Sequence, residues 1–177
     1  MRWVALFGLG SLVACGVSVA LAAHPGGIPT GTRVVRLVVD KSDRTMQAYD
    51  AAGTLVRAYR VGIGSGGFGP KGWEGDAITP EGRYRIDERH RSERFHRFLH
   101  ISYPNREDRR RYAQRRREGE VPEGAGIGGA IGIHGTGGRD WVPRGFRYTL
   151  GCVMVDDDEA EELYRAVIPN AEIVIRE

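Results

Sequence analysis

Lysine is nearly missing from this chain. Of its 26 basic residues only Lys41 and Lys71 are lysines, so the positive charge rests on arginine, whose guanidinium stays charged and pairs bidentately with carboxylate or phosphate. Cysteine is as scarce, at Cys15 and Cys152 alone. That excludes a disulfide framework and a cysteine-rich zinc site. The length, 177 residues, suits one domain able to bury its own core without such staples.

Long apolar runs are confined to the N-terminus. Residues 1–23 carry a single charge, Arg2, followed by an apolar stretch ending in small residues, the pattern of an export signal or N-terminal membrane anchor. Ala20, Leu21 and Ala22 form an A-x-A cleavage site, and Leu12, Val13, Ala14 and Cys15 resemble a lipobox. The residues after Cys15 stay apolar, which favours the first site. Uncut, the stretch approaches the ~20 residues that span a bilayer. Each reading places the remainder outside the cytoplasm, in the periplasm or cell envelope, with membrane contact only through residues 1–23. Cleavage after Ala22 leaves Cys152 as the sole cysteine, and an unpaired thiol in an oxidising compartment calls for a function.

Residues 24–32, with their Pro and Gly, read as a linker, and residues 33–177 as the folded domain. RVVRLVVD, TMQAYD and TLVRAYRVGIG, separated by KSDR and AAG, predict three antiparallel strands. Gly62, Gly64 and Gly67 formally satisfy G-x-G-x-x-G, but Pro70 and further glycines preclude the helix whose N-terminus would receive a pyrophosphate. A flexible loop beside the site is the expectation instead. Thr79, Pro80 and Gly82 mark a turn into a further strand. His90, His96 and His100 cluster in RHRSERFHRFLH, yet Phe95, Phe98 and Leu99 among them indicate a core strand, and no carboxylate set completes a metal shell. Neither metal nor cofactor is expected.

Asn105 and Asp108 predict the start of a helix that ends near Gly119 and holds seven arginines from Arg106 to Arg117. Without interleaved aromatics other than Tyr112, and in an exported protein, that run argues for a solvated face and against nucleic acid; acidic wall polymer or anionic lipid are the partners it would suit. A second helix is predicted from Asp156, with Ala160, Leu163, Tyr164 and Val167 facing inward. Pro169 and Asn170 should end it, and residues 171–175 should form a last strand.

The chemistry concentrates in residues 131–154, IGIHGTGGRDWVPRGFRYTLGCVM. His134 ends a short apolar run and Cys152 follows a glycine. A cysteine attacks as thiolate, and a nearby imidazole and backbone N–H groups raise the small ionised fraction found at neutral pH. Gly151 would let a substrate carbonyl approach the main chain, where N–H groups at Leu150, Gly151 and Cys152 could hold an oxyanion.

Fourteen residues separate His134 from Thr149-Leu150-Gly151-Cys152. This spacing resembles the signature of the YkuD-type L,D-transpeptidases, and TPEGRY at residues 79–84 resembles a second segment of that family, with GDAITPEGRYRID and ISYPN closer to its YafK-like branch. The resemblance covers about residues 33–176. It implies a mainly β fold, a sandwich or partly closed barrel of mixed sheets with two helices. It also implies acyl transfer on peptidoglycan stem peptides through a Cys thioester, giving 3-3 cross-links or attaching a protein or amino acid. Cys152 is then the nucleophile, His134 the base, and the Gly135 carbonyl orients the imidazole. Gly151 with the Cys152 N–H serves the oxyanion, and Thr149 and Leu150 contact substrate. Many members carry Arg two residues after the cysteine, where this chain has Met154; Arg139, Arg144 or Arg147 would have to substitute. Two alternatives stay open: a hydrolase releasing wall-bound lipoprotein or D-Ala, and an inactive peptidoglycan-binding module. Sortases place their histidine much further upstream, and papain-like wall peptidases reverse the order of the pair.

Overall fold

A computed structural model describes residues 26–138 and 148–177. The segment 1–23, the first two residues of the linker, and Arg139, Arg144 and Arg147 lie outside the described residues. The apolar alternation in VVRLVVD, TMQAY and LVRAYR produces β1 (Val34–Asp40), β2 (Thr45–Tyr49) and β3 (Leu55–Arg60), joined as antiparallel neighbours. Leu37, Val39, Met46 and Ala48 point into the core with no exposed surface. The third predicted strand breaks after Arg60, and a two-residue strand β4 (Ile63–Gly64) follows.

Next comes a hairpin of β5 (Gly82–Ser92) and β6 (His96–Ile101), then α1 (Arg106–Arg117). Sequence reading caught the two strands but not the turn at residues 93–95 that joins them. Three short strands carry the motif region: β7 (Gly132–His134), β8 (Tyr148–Thr149) and β9 (Val153–Met154). The chain closes with α2 (Asp157–Ala166) and β10 (Val167–Arg176). The expected stop at Pro169 and Asn170 is not where the helix ends. The strand already begins at Val167, and β10 absorbs the Pro-Asn pair as an irregularity, its register against β1 passing from Val34↔Val167 to Arg36↔Glu172 with Asn170 at φ 60°. Proline lacks an N–H and asparagine tolerates the left-handed region, so a bulge accommodates both.

The main sheet runs β3-β2-β1-β10-β5-β6-β7-β9, with parallel pairs β1–β10 and β7–β9 and antiparallel pairs elsewhere; β4 and β8 form a second, parallel pair. Gly62, just beyond β3, exchanges two backbone hydrogen bonds with Met154 of β9 at 2.8 and 2.9 Å. The two far edges of the sheet thus meet, and the fold is a mainly β, curled mixed sheet forming a half-barrel with two helices. Leu99, Ile101, Ile133, Val153, Ile173 and Ile175 fill its interior together with Ala160 and Leu163 of α2.

The two lysines are both inside. Lys41, with no exposed surface, donates to the carbonyls of Gly69 and Thr79 at 2.9 and 3.1 Å and to Glu81 Oε1 at 2.7 Å. Lys71 pairs with Asp76, which also accepts from the N–H groups of Gly72, Trp73 and Ile78. Burial pushes the Asp76 carboxyl up, but the Lys71 ammonium and those N–H groups outweigh it and hold the pKa below the ordinary carboxylate value. The loop of residues 65–81, expected to be flexible, is therefore pinned at several points. Replacing Lys41 by Met would strand a carboxylate and two carbonyls at little exposure. We expect a loss of about 3 kcal/mol, read in thermal melting as a Tm roughly 6–12 °C lower.

Candidate active site

Strands β7 and β9 build the site. Their parallel register pairs Ile133 with Val153 and His134 with Met154. Ile133 and Val153 face the core, so strand alternation turns His134, Met154, Gly132 and Cys152 to the opposite face. Cys152 and His134 then share one face on neighbouring strands, diagonally offset by two residues, roughly 8 Å apart in the backbone.

The imidazole is held at Nδ1 and against two aromatic rings. Nδ1 of His134 lies 2.7 Å from the Gly135 carbonyl, so the proton sits on Nδ1 and donates there, leaving Nε2 as the basic nitrogen. Phe95 packs at 4.2 Å between ring centroids, and Phe98 stacks at 6.1 Å with planes 7° apart. A side chain at Gly132 would strike the Phe98 ring at 2.4 Å. Glycine is needed there for the ring to reach the histidine. Phe95 also accepts the Gly135 N–H on its carbonyl at 3.1 Å. The hairpin tip carrying Phe95 is tied to α2 through His96 and Arg97, both paired with Glu161.

Asp157, at the first position of α2, fixes the loop beyond the histidine. Its carboxylate accepts from Thr136 Oγ1 at 3.2 Å and from the N–H groups of Gly137 and Gly138 at 2.9 and 2.8 Å. Burial raises its pKa, and the Gly137 and Gly138 N–H groups and Thr136 more than reverse this. Gly137, at φ 68°, sits where a Cβ would meet the Arg94 carbonyl at 2.1 Å.

The turn before Cys152 is locked by Thr149, whose hydroxyl donates to the Cys152 carbonyl at 2.7 Å and accepts the Gly151 N–H at 3.0 Å. Two sequence expectations change as a result. The Thr149 hydroxyl is occupied in holding the turn rather than free for substrate, and the Gly151 N–H is committed to it rather than to an oxyanion. Gly151 serves through its shape: at φ 133° it lies beneath the Ile78 carbonyl, which a Cβ would meet at 3.0 Å. Leu150 stands 82% exposed beside the site. Thr79 completes the support, taking the Gly64 N–H on its hydroxyl at 2.8 Å, so the Thr-Pro segment braces the strand that pairs with Thr149.

Cys152 is half-buried, and its thiol faces the Ala130 carbonyl at 3.6 Å. Burial pushes the thiol pKa up, and the Gly132 N–H and the Lys71 charge reduce this without cancelling it. His90 pairs with Glu88 and His100 with Asp87, and both rings flank Phe98, on which His134 also stacks; among the described residues no group of three His, Cys, Asp or Glu is placed to hold a metal ion.

The L,D-transpeptidase catalytic domain model, YkuD, matches residues 34–175. The chain belongs to the YkuD family. Among YkuD-related proteins it is 25% identical to YafK of Escherichia coli (strain K12) over 138 residues, 75% of this chain and 47% of YafK. The solved structure of Bd1075 from Bdellovibrio bacteriovorus is 26% identical, with a TM-score of 0.55, covering 81% of this chain and 48% of that one. The helical cell shape determining protein Pgp2 from Campylobacter jejuni shares the fold at a TM-score of 0.59 and 22% identity, covering 83% and 49%. The chain thus spans about half the length of the relatives it matches.

Sequence reading missed Phe95, Phe98, Gly132, Lys71 and Asp157 as parts of the site. For Asp157 a signal existed in the acidic run after the cysteine, but it reads equally as helix capping. Two outcomes test the described arrangement. Asp157→Ala should cost about 2 kcal/mol. Because the Asp157 pKa is depressed on folding, its contribution is present above the unfolded value near ~3.9 and lost as pH falls through the lower folded value. The mutant's stability deficit should therefore shrink in acid. Alkylation of Cys152 by iodoacetamide should follow an apparent pKa above the ~8.5 of free cysteine, and Lys71→Met should move it higher; a midpoint below that of free cysteine would contradict a buried resting thiol.

Proposed function

We propose that this domain catalyses cysteine-dependent acyl transfer on peptidoglycan stem peptides. The observation that carries the reading is the shared face of β7 and the chain entering β9, which brings Cys152 and a histidine of fixed tautomer onto neighbouring strands two positions apart, beside a turn shaped by Gly151. Family membership supports peptidoglycan as the substrate class.

His134 Nε2 takes the thiol proton as Sγ attacks the carbonyl carbon of the stem's third residue, and the carbonyl π electrons move to oxygen. The Cys152 N–H faces that oxyanion, while the Gly151 N–H keeps the turn closed. Collapse breaks the C–N bond to D-Ala, and His134 returns its proton to the departing amine. The thioester is then resolved by an amine, giving a 3-3 cross-link or an attached protein or amino acid, or by water. Met154 favours keeping the hydrolytic reading as well, with a wall-attached lipoprotein or D-Ala released. Paired with His134 and only 6% exposed, it offers an apolar wall where many family members place a cation for a substrate carboxylate. Residues 1–23 would export the domain or anchor it at the membrane.

Muropeptides from sacculi treated with the protein and with Cys152→Ala, followed by mass spectrometry, separate these readings. Cys152-dependent 3-3 linkages identify transfer. Shortened stems or released lipoprotein without new linkages identify hydrolysis, and no Cys152-dependent change identifies a binding module. His134→Ala should slow thioester formation by roughly 10²–10⁴-fold, measured as the intact-mass increment on exposure to a carbapenem.

A further inference from the structure

Helix α1 sorts its residues by face. Asp108, Arg111, Tyr112 and Arg115 turn toward the domain: Asp108 is buried against the Tyr84 hydroxyl and pairs with Arg111, Tyr112 donates to the Ala125 carbonyl at 2.8 Å, and Arg115 lies over Gly72. Arg106, Arg109, Arg110, Arg116 and Arg117 occupy the opposite arc around Ala113, and all six are exposed. At 100° per residue the five arginines fall within about a third of the helix circumference, along roughly 16 Å of axis. None of the five takes part in an ion pair among the described residues, whereas Arg111 and Arg115 do. Like charges three and four residues apart repel. The capping box of Asn105 and Asp108 and the inward contacts hold the helix together despite that repulsion, which a polyanion on the outer face would relieve.

The chain as a whole is only +3, and its acid is gathered elsewhere, with five carboxylates in α2. The α1 face is thus a local cationic stripe and not a reflection of overall charge. It has no large apolar side chain to enter a bilayer and no aromatic on which a base could stack, since Tyr112 is turned inward. Its inner side rests on the 71–76 loop, which runs on to Ile78 over Gly151 of the Cys152 turn. The stripe is thus linked to the turn that carries the nucleophile through that loop.

We propose that this arginine face is an exosite for the carboxylates of peptidoglycan, holding the domain on the polymer whose stems reach Cys152. The proposal rests on the reading of function above. Five guanidinium groups in a row offer repeated, salt-sensitive contacts with a carboxylate-bearing lattice, suited to a substrate that is insoluble and everywhere at hand.

The test is pelleting of the full chain, as Cys152→Ala in mild detergent, with purified sacculi. Binding should weaken as salt is raised, and the combined Arg→Gln change at 106, 109, 110, 116 and 117 should lower the apparent affinity by about tenfold or more. In a Cys152-intact chain the same five changes should not lower Tm, since they relieve the repulsion along the helix, and should leave thioester formation with a soluble tetrapeptide stem unchanged. Sacculi whose carboxyls have been amidated should bind the arginine-bearing chain no better than the variant. Equal pelleting of both chains would overturn the proposal. So would tighter binding to anionic phospholipid nanodiscs or to polyphosphate than to sacculi, which would assign the face to phosphate. Should neither chain form a thioester with the tetrapeptide, the functional reading fails on its own, and pelleting still decides the exosite.

Discussion

Two hydrogen bonds between Gly62 and Met154 fasten the sheet to itself, and the site follows from that fastening. Without them β9 would be an open edge with Cys152 at its start. With them, the end of β3 and the whole 62–81 segment are drawn across the edge, so that Gly64 pairs beside Thr149 and the Ile78 carbonyl lies over Gly151. A thiol that begins as an edge feature becomes half-buried. The same act that shelters it raises its pKa, and a neighbouring base is then required to make it a nucleophile.

The histidine is positioned by a separate set of contacts that converge from three elements: the β5–β6 hairpin through Phe95 and Phe98, the chain immediately beyond it through Gly135, and α2 through Asp157. Three glycines, at 132, 135 and 137, leave the room these contacts need, each at a place where a Cβ would strike a neighbour within 2.4 Å. The glycine content of the motif region is therefore packing against backbone and ring atoms more than mobility.

Much of this was legible beforehand, and the reasons differ between parts. The first three strands follow from alternation, α1 from Asn105 and Asp108, and the His–Cys pair from its spacing, all of which are local signals. What stayed hidden depends on contacts distant in sequence. Phe95 and Phe98 look like ordinary core aromatics until β6 is set against β7. Asp157 is one more acidic residue in the first turn of a helix starting from Asp156 until that turn is seen to face Gly137. The Thr149 hydroxyl and the Gly151 N–H both looked free for chemistry, and their mutual bond can be recognised only once the turn has a shape. Pro169 misled for the opposite reason: a local rule about helix ends was overridden by pairing with β1, which continued through a bulge.

The placement of the two lysines has one more consequence. A thioester is consumed by primary amines, and a lysine-bearing surface beside such an intermediate would compete with the proper acceptor. Here both ε-amines in the sequence are sequestered inside the fold, Lys41 with no exposed surface and Lys71 with 5%, each engaged by a carboxylate. The outside is furnished with guanidinium groups, which stay protonated and do not attack acyl carbon at neutral pH. The domain carries its positive charge in a form chemically inert toward its own proposed intermediate, so self-acylation at lysine amines is disfavoured by composition and burial together.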